Sequence, residues 1–119
     1  MNARFAVVSL WAEDVPTTAH FYLDVLGLHL LPHHGGQPAF DLDGAYLTIL
    51  KGKPQPAQDA EPRNFPLFAL AVDDLDAAVA LLRAHRVDLP WGIERGAESR
   101  WIKFHDPAGN LIELVEFNE

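Results

Sequence analysis

The chain has 119 residues, 49% of them hydrophobic, with no cysteine. That length fits one compact domain with its own core, and the missing cysteine excludes disulfides and Cys-ligated zinc. Its 17 acidic against nine basic residues give a formal net charge of −8, which argues against nucleic acid as a partner, because phosphates are neutralised by Lys and Arg, and would attract a cationic small molecule from a distance.

The N-terminal Met1-Asn2-Ala3-Arg4 lacks the basic-then-apolar pattern of a signal peptide. No apolar run is long enough to cross a bilayer. A cytoplasmic protein with no membrane partner is expected. In chain order, Phe5 to Trp11 reads as a strand. Glu13 and Asp14 stand at a helix start, with Pro16 in its first turn. Phe21, Val25 and Leu26 continue an apolar stripe, and Gly27 is a stop. Leu28 to Pro32 reads as a strand and His33-His34-Gly35-Gly36 as a turn. Ala39 to Leu42 and Tyr46 to Leu50 flank Asp43-Gly44, a strong hairpin signal. Residues 53–64, with Pro54, Pro56 and Pro62, form a linker.

Leu67 to Val72 reads as a strand, and Asp73-Asp74 opens a helix with Ala78, Leu81 and Leu82 on its apolar side. Asp73, Asp74 and Asp76 are assigned to helix capping. Val87 to Leu89 is a short strand, followed by Pro90-Trp91-Gly92 and a polar loop. Arg100 to His105 and Leu111 to Phe117 close the chain around the turn Asp106-Pro107-Ala108-Gly109-Asn110. Pro107 presets φ there, and Gly109 and Asn110 tolerate positive φ.

The two halves align with each other. Glu13-Asp14-Val15 matches Asp73-Asp74-Leu75 at an offset of 60, and Phe40 with Gly44 to Thr48 matches Phe104 with Gly109 to Glu113. Each half therefore reads β-α-β-β-β. The expected organisation is a single domain over 1–119: one module at 1–52, the linker at 53–64, and a second module at 65–119.

This duplication, with Phe21-Tyr22-Leu23-Asp24-Val25-Leu26-Gly27-Leu28 and the closing Asp106 to Leu114 segment, resembles the vicinal oxygen chelate superfamily. That group includes glyoxalase I, extradiol dioxygenases, fosfomycin resistance enzymes and bleomycin resistance proteins. The form of the closing turn resembles the bleomycin-resistance branch. The resemblance implies an α+β fold in which two paired βαβββ modules form a curved mixed sheet, with a concave pocket and helices outside. It also implies a homodimer, with module exchange as one arrangement.

In metal-dependent members four ligands, usually His, Gln or Glu, come from equivalent points of the repeat. The resemblance puts those points at Val7, Thr48, Leu67 and Glu113. Of these only Glu113 is a strong donor, and a catalytic site typically takes about three protein ligands. No metal and no other cofactor is therefore expected. None of the six histidines is expected as a metal ligand; His105, before the closing turn, is placed at the pocket mouth.

Alternation assigns the rest of the pocket. Val7 and Ser9 share a face with Phe5 and Trp11; Trp101, Lys103 and His105 share another. The expected ligand-binding set is Phe5, Val7, Ser9, Thr48, Leu67, Trp101, Lys103, His105 and Glu113. Such an apolar and aromatic lining suits an organic, cationic or neutral small molecule. Two readings of Glu113 stand side by side, a ligand contact or an ion pair with Lys103. The leading expectation is a metal-independent binding protein that sequesters its ligand. The alternatives are a lyase or isomerase with Glu113 as general base, Lys103 or His105 serving as acid, and a metal-dependent glyoxalase- or dioxygenase-type enzyme.

Overall fold

Asp14 and Asp74 each start a helix in the same way. The Asp14 carboxylate accepts hydrogen bonds from Thr17 N at 3.1 Å and Thr17 Oγ1 at 2.8 Å, and these hold its pKa below the ordinary value. Asp74 accepts from Ala77 N at 3.0 Å. Both satisfy amides that a helix leaves unpaired at its first turn. The helices they open are α1, Val15–His20, and α2, Leu75–Ala84.

The computed structural model describes residues 1–32, 36–54 and 66–118. The chain divides into two compact units, Met1–Gln55 and Pro56–Glu119. The expected turn at His33-His34-Gly35 and most of the linker at 53–64 lie outside the described residues.

In the first unit β1 (Val7–Ala12) runs parallel to β3 (Tyr46–Lys51), and β2 (Ala39–Asp41) pairs antiparallel with β3, in the order β1-β3-β2. In the second, β4 (Ala69–Ala71) runs parallel to β7 (Leu111–Phe117). Beside β7 lie β6 (Ser99–His105) and then β5 (Glu94–Arg95), both antiparallel to their neighbours. The fold is α+β with two mixed sheets, and both sheets follow one plan, as the internal repeat requires.

Helix α1 passes into a wider turn over Phe21–Val25, in which Leu26 N reaches back to Phe21 O at 3.1 Å. No residue pattern announced this widening. Gly27, at φ +70°, ends the helix as expected. The Asp43-Gly44 loop has both residues at positive φ, 57° and 101°, the two-residue geometry that matches strand twist.

Two expected strands are not formed. Leu28 to Pro32 contributes only a bridge from Leu30 to Phe40. Leu28 N is already used by Tyr22 O at 2.9 Å, and Pro32 has no N–H to extend the ladder. Val87 to Leu89 is also irregular. Val87 N closes α2 by donating to Leu82 O at 2.9 Å, Arg86 sits at φ +60°, and Gly92 N bonds Leu89 O. The strand therefore starts later, at Glu94. Asn110 is absent from the positive-φ residues, so only Gly109 (φ +94°) takes that conformation in the closing turn.

Each sheet buries one face under its helix. Leu75, Val79 and Leu82 recur on one side of α2 and are buried. They face β6 and β7, whose Ile102, Phe104 and Ile112 have no exposed surface. In the first unit Phe40, Leu47, Ile49 and Tyr22 play the same part. Each such side chain contributes about 1.5–3 kcal/mol of burial.

On the helix side of the second sheet Arg100 joins three elements. Its Nε lies 2.6 Å from Glu116 Oε2, and its two Nη atoms reach Asp76 at 3.1 and 3.0 Å. Glu116 also accepts from Leu75 N, at the start of α2, at 3.0 Å. Asp76 thus pairs with Arg100 rather than capping the helix. The Arg100 hydrogen bonds hold the carboxyl groups of Glu116 and Asp76 below their ordinary pKa values. Carboxylates depressed in the folded state stabilise it above their unfolded pKa, and that stability is lost as pH falls through the folded pKa. Glu116→Gln is expected to lower the neutral-pH melting temperature by a few degrees and to flatten the acid limb of the stability curve, as read by thermal melts between pH 3 and 7. An unchanged acid limb would contradict this role.

No helix among the described residues is long and apolar enough to cross a membrane.

Candidate functional site

The opposite face of the second sheet carries charge where a core would be apolar. Register places Lys103 directly across from Glu113, Trp101 across from Val115, and His105 across from Leu111. Ala69 flanks Glu113 on its other side, so a small side chain leaves that carboxylate uncovered from β4.

Lys103 does not pair with the glutamate opposite it. Its Nζ lies 3.1 Å from Glu94 Oε1, with side chains 13% and 31% exposed, and 5.0 Å from the centre of the Trp91 ring. Glu94 Oε1 is buried and, although in ion-pair contact, has no hydrogen bond among the described residues. The Trp91 ring also lies 6.2 Å from that of His105. Trp101 covers the Gly96 backbone so closely that a Cβ there would meet its ring at 3.2 Å. Glu113 is half-buried, with no hydrogen bond or ion pair among the described residues. Desolvation raises its pKa, against a smaller lowering by Lys103.

In the second unit Trp101, Lys103, His105 and Glu113 lie on one face of the sheet. Trp91 and Glu94 complete the cluster and were not expected there. Both fall in a segment read as turn and polar loop, and a two-residue strand leaves no alternation to detect. Leu67 precedes β4 and is 42% exposed.

The other expected residues lie in the first unit. Val7 and Ser9 share the exposed face of β1 and Phe5 precedes that strand, with Phe5 64% and Val7 39% exposed. Ser9, not Val7, stands opposite Thr48, and Val7 stands opposite Tyr46. Thr48 is buried, and its hydroxyl donates to Pro38 O at 2.9 Å. Its proton is thus committed to the backbone just before β2.

The donor set at the four positions assigned by resemblance to a metal does not fit one. Val7 and Leu67 have no donor atom, and Thr48 offers a neutral oxygen already engaged. Among the described residues no three His, Asp or Glu side chains converge as a metal site would need.

A profile of the Glyoxalase/Bleomycin resistance protein/Dioxygenase superfamily matches residues 4–114, and the chain belongs to that superfamily. It is 30% identical to the uncharacterized protein YaeR of Escherichia coli (strain K12), over 92% of each chain. Among solved structures it is similar to a lactoylglutathione lyase from Agrobacterium tumefaciens (TM-score 0.74, 23% identity, 98% of this chain and 95% of that one). It is also similar to TnmS3, an antibiotic binding protein from Streptomyces sp. CB03234 (TM-score 0.78, 22% identity, 98% of each chain). At those identities the likeness is one of fold.

Proposed function

We propose that this protein is a metal-independent binder of a small organic ligand, which it sequesters without changing it. Glu113 is the contact for a cationic or N–H-bearing group, and the Trp101 and Trp91 rings are stacking surfaces. The observation that carries this reading is Glu113 itself. A half-buried carboxylate without a hydrogen bond costs free energy in the free protein, and a ligand donor would recover it. The net charge of −8 favours approach of a cation, and the antibiotic-binding relative has the same fold.

Glu113→Gln tests it in two ways. The mutation is expected to weaken a ligand found by thermal-shift screening of cationic aromatic compounds by at least about tenfold, roughly 1.4 kcal/mol. Binding is read by tryptophan fluorescence, with the ligand recovered intact and the affinity unchanged after chelator treatment. The same variant is expected to be more stable than the parent at pH 7. The raised pKa means that the folded protein keeps a proton the unfolded chain has lost, so the parent loses stability as pH rises above the ordinary glutamate value. Below that value both forms are protonated and the advantage of the variant should vanish. Unchanged affinity in Glu113→Gln, or ligand affinity that disappears with chelator, would overturn the proposal.

One observation favours a second reading. Desolvation that raises a carboxylate pKa also makes it a better base, so Glu113 would serve a lyase or isomerase with Lys103 or His105 as the acid. Turnover of the ligand that stops in Glu113→Gln would select this reading. We further propose a homodimer, because Val7 and Trp11 on the exposed face of β1, with Phe5 just before it, leave an apolar surface, Trp11 being 48% exposed. Sedimentation should give twice the chain mass, and Trp11→Glu should shift it to the monomer.

A further inference from the structure

Lys103 and Glu113 stand opposite each other across β6 and β7, where cross-strand Cβ atoms lie about 4.5–5.5 Å apart and opposite charges ordinarily pair. They do not pair. The ammonium is turned towards β5, 3.1 Å from Glu94 Oε1, with its Nζ 5.0 Å from the Trp91 ring centre. Two attractions hold it there. One is the charge of Glu94, whose buried oxygen has no hydrogen bond among the described residues. The other is the electron-rich aromatic face, which attracts a cation through the ring quadrupole. We infer that Glu94 and Trp91 are positioning residues that draw Lys103 away from Glu113 and so keep the Glu113 carboxylate open for a ligand.

This goes beyond assigning Glu113 to a ligand. A glutamate directly facing a lysine would ordinarily be closed by it, and the site is open because a second carboxylate competes for the same cation. The charged and titratable groups facing Glu113 on this side are Glu94 from β5 and Lys103 and His105 from β6, while β4 presents Ala69. The role of Glu94 is therefore indirect. It acts through Lys103 and touches no ligand in this account. The consequence for binding rests on the proposed role of Glu113, but the placement of the lysine does not, and it is tested without any ligand.

The experiment is a double-mutant cycle read on the Glu113 carboxyl by carbon-13 NMR titration. Glu94→Gln is expected to lower the Glu113 pKa, because the freed Lys103 swings across to it. In a Lys103→Met background the same change is expected to have much less effect, since only the weaker Glu94 repulsion is removed. Trp91→Leu is expected to lower the Glu113 pKa in the same direction by a smaller step and serves as an independent variant. An equal drop in both backgrounds would mean that Glu94 acts by repulsion alone and would overturn the inference. So would no drop in either Glu94→Gln or Trp91→Leu. Loss of ligand binding in Glu113→Gln bears only on the earlier reading, so the two fail separately.

Discussion

Asp106→Ala is expected to cost about 3 kcal/mol of stability, lowering the melting temperature by roughly 10 °C. Asp106 is 4% exposed, and its carboxylate organises the whole closing turn. Oδ1 accepts from Ala108 N and Asn110 N, both at 2.9 Å, and Oδ2 accepts from the Asn110 side chain at 3.0 Å. The backbone closes the same loop, with Asp106 N on Asn110 O and Gly109 N on Asp106 O. Truncation leaves two backbone amides with no acceptor in a part-buried turn, which costs more than the average hydrogen bond returns. Asp106→Asn keeps one carbonyl oxygen for those amides and should lose about a third as much. The hairpin it closes sets the register of β6 against β7 and hence the position of Lys103 opposite Glu113. Asp106→Ala should therefore also weaken any ligand that depends on Glu113. Thermal melts of the two variants in parallel check the order, and equal losses would mean that the side-chain bonds contribute little.

The features legible in the sequence were those written by local chemistry. The caps Asp14 and Asp74, the stop at Gly27, the Asp43-Gly44 loop and β7 from Leu111 to Phe117 each follow from residue type at a given spacing. The repeat was legible because both halves use the same signals. What failed depended on which of two competing partners takes a backbone amide. Leu28 and Val87 belong to β-prone stretches, yet their amides are taken by the ends of the preceding helices. The site divided in the same manner. Alternation put Trp101, Lys103 and His105 on one face, and the repeat singled out Glu113. Neither could bring Trp91 and Glu94 to that face, because a loop places them, and neither could decide which carboxylate holds Lys103. The sequence left Glu113 open to a ligand or to Lys103, while the structure gives the lysine to Glu94.

Phe40→Ala and Phe104→Ala are each expected to cost about 3–5 kcal/mol, the largest losses of any single change considered. The two residues correspond across the repeat, and both have no exposed surface. Phe104 stands on β6 opposite Ile112, on the face that α2 covers. Phe40 stands on β2 opposite Leu47, with Tyr22 at 6.1 Å between ring centres and Phe21 edge-on to Tyr22 at 5.5 Å. Removing either ring leaves a cavity that the surrounding strands cannot close, because ladder hydrogen bonds to the neighbouring strand hold β2 and β6 in place. Phe→Leu at the same positions keeps most of the volume and should cost about 1.5 kcal/mol or less. Urea denaturation reads both as a lower midpoint at unchanged slope. Comparable losses at the two positions are what a repeat with two equivalent cores requires. A loss at Phe40 with none at Phe104 would mean that the second unit, which carries Glu113, is held by something other than the packing of α2 on β6 and β7.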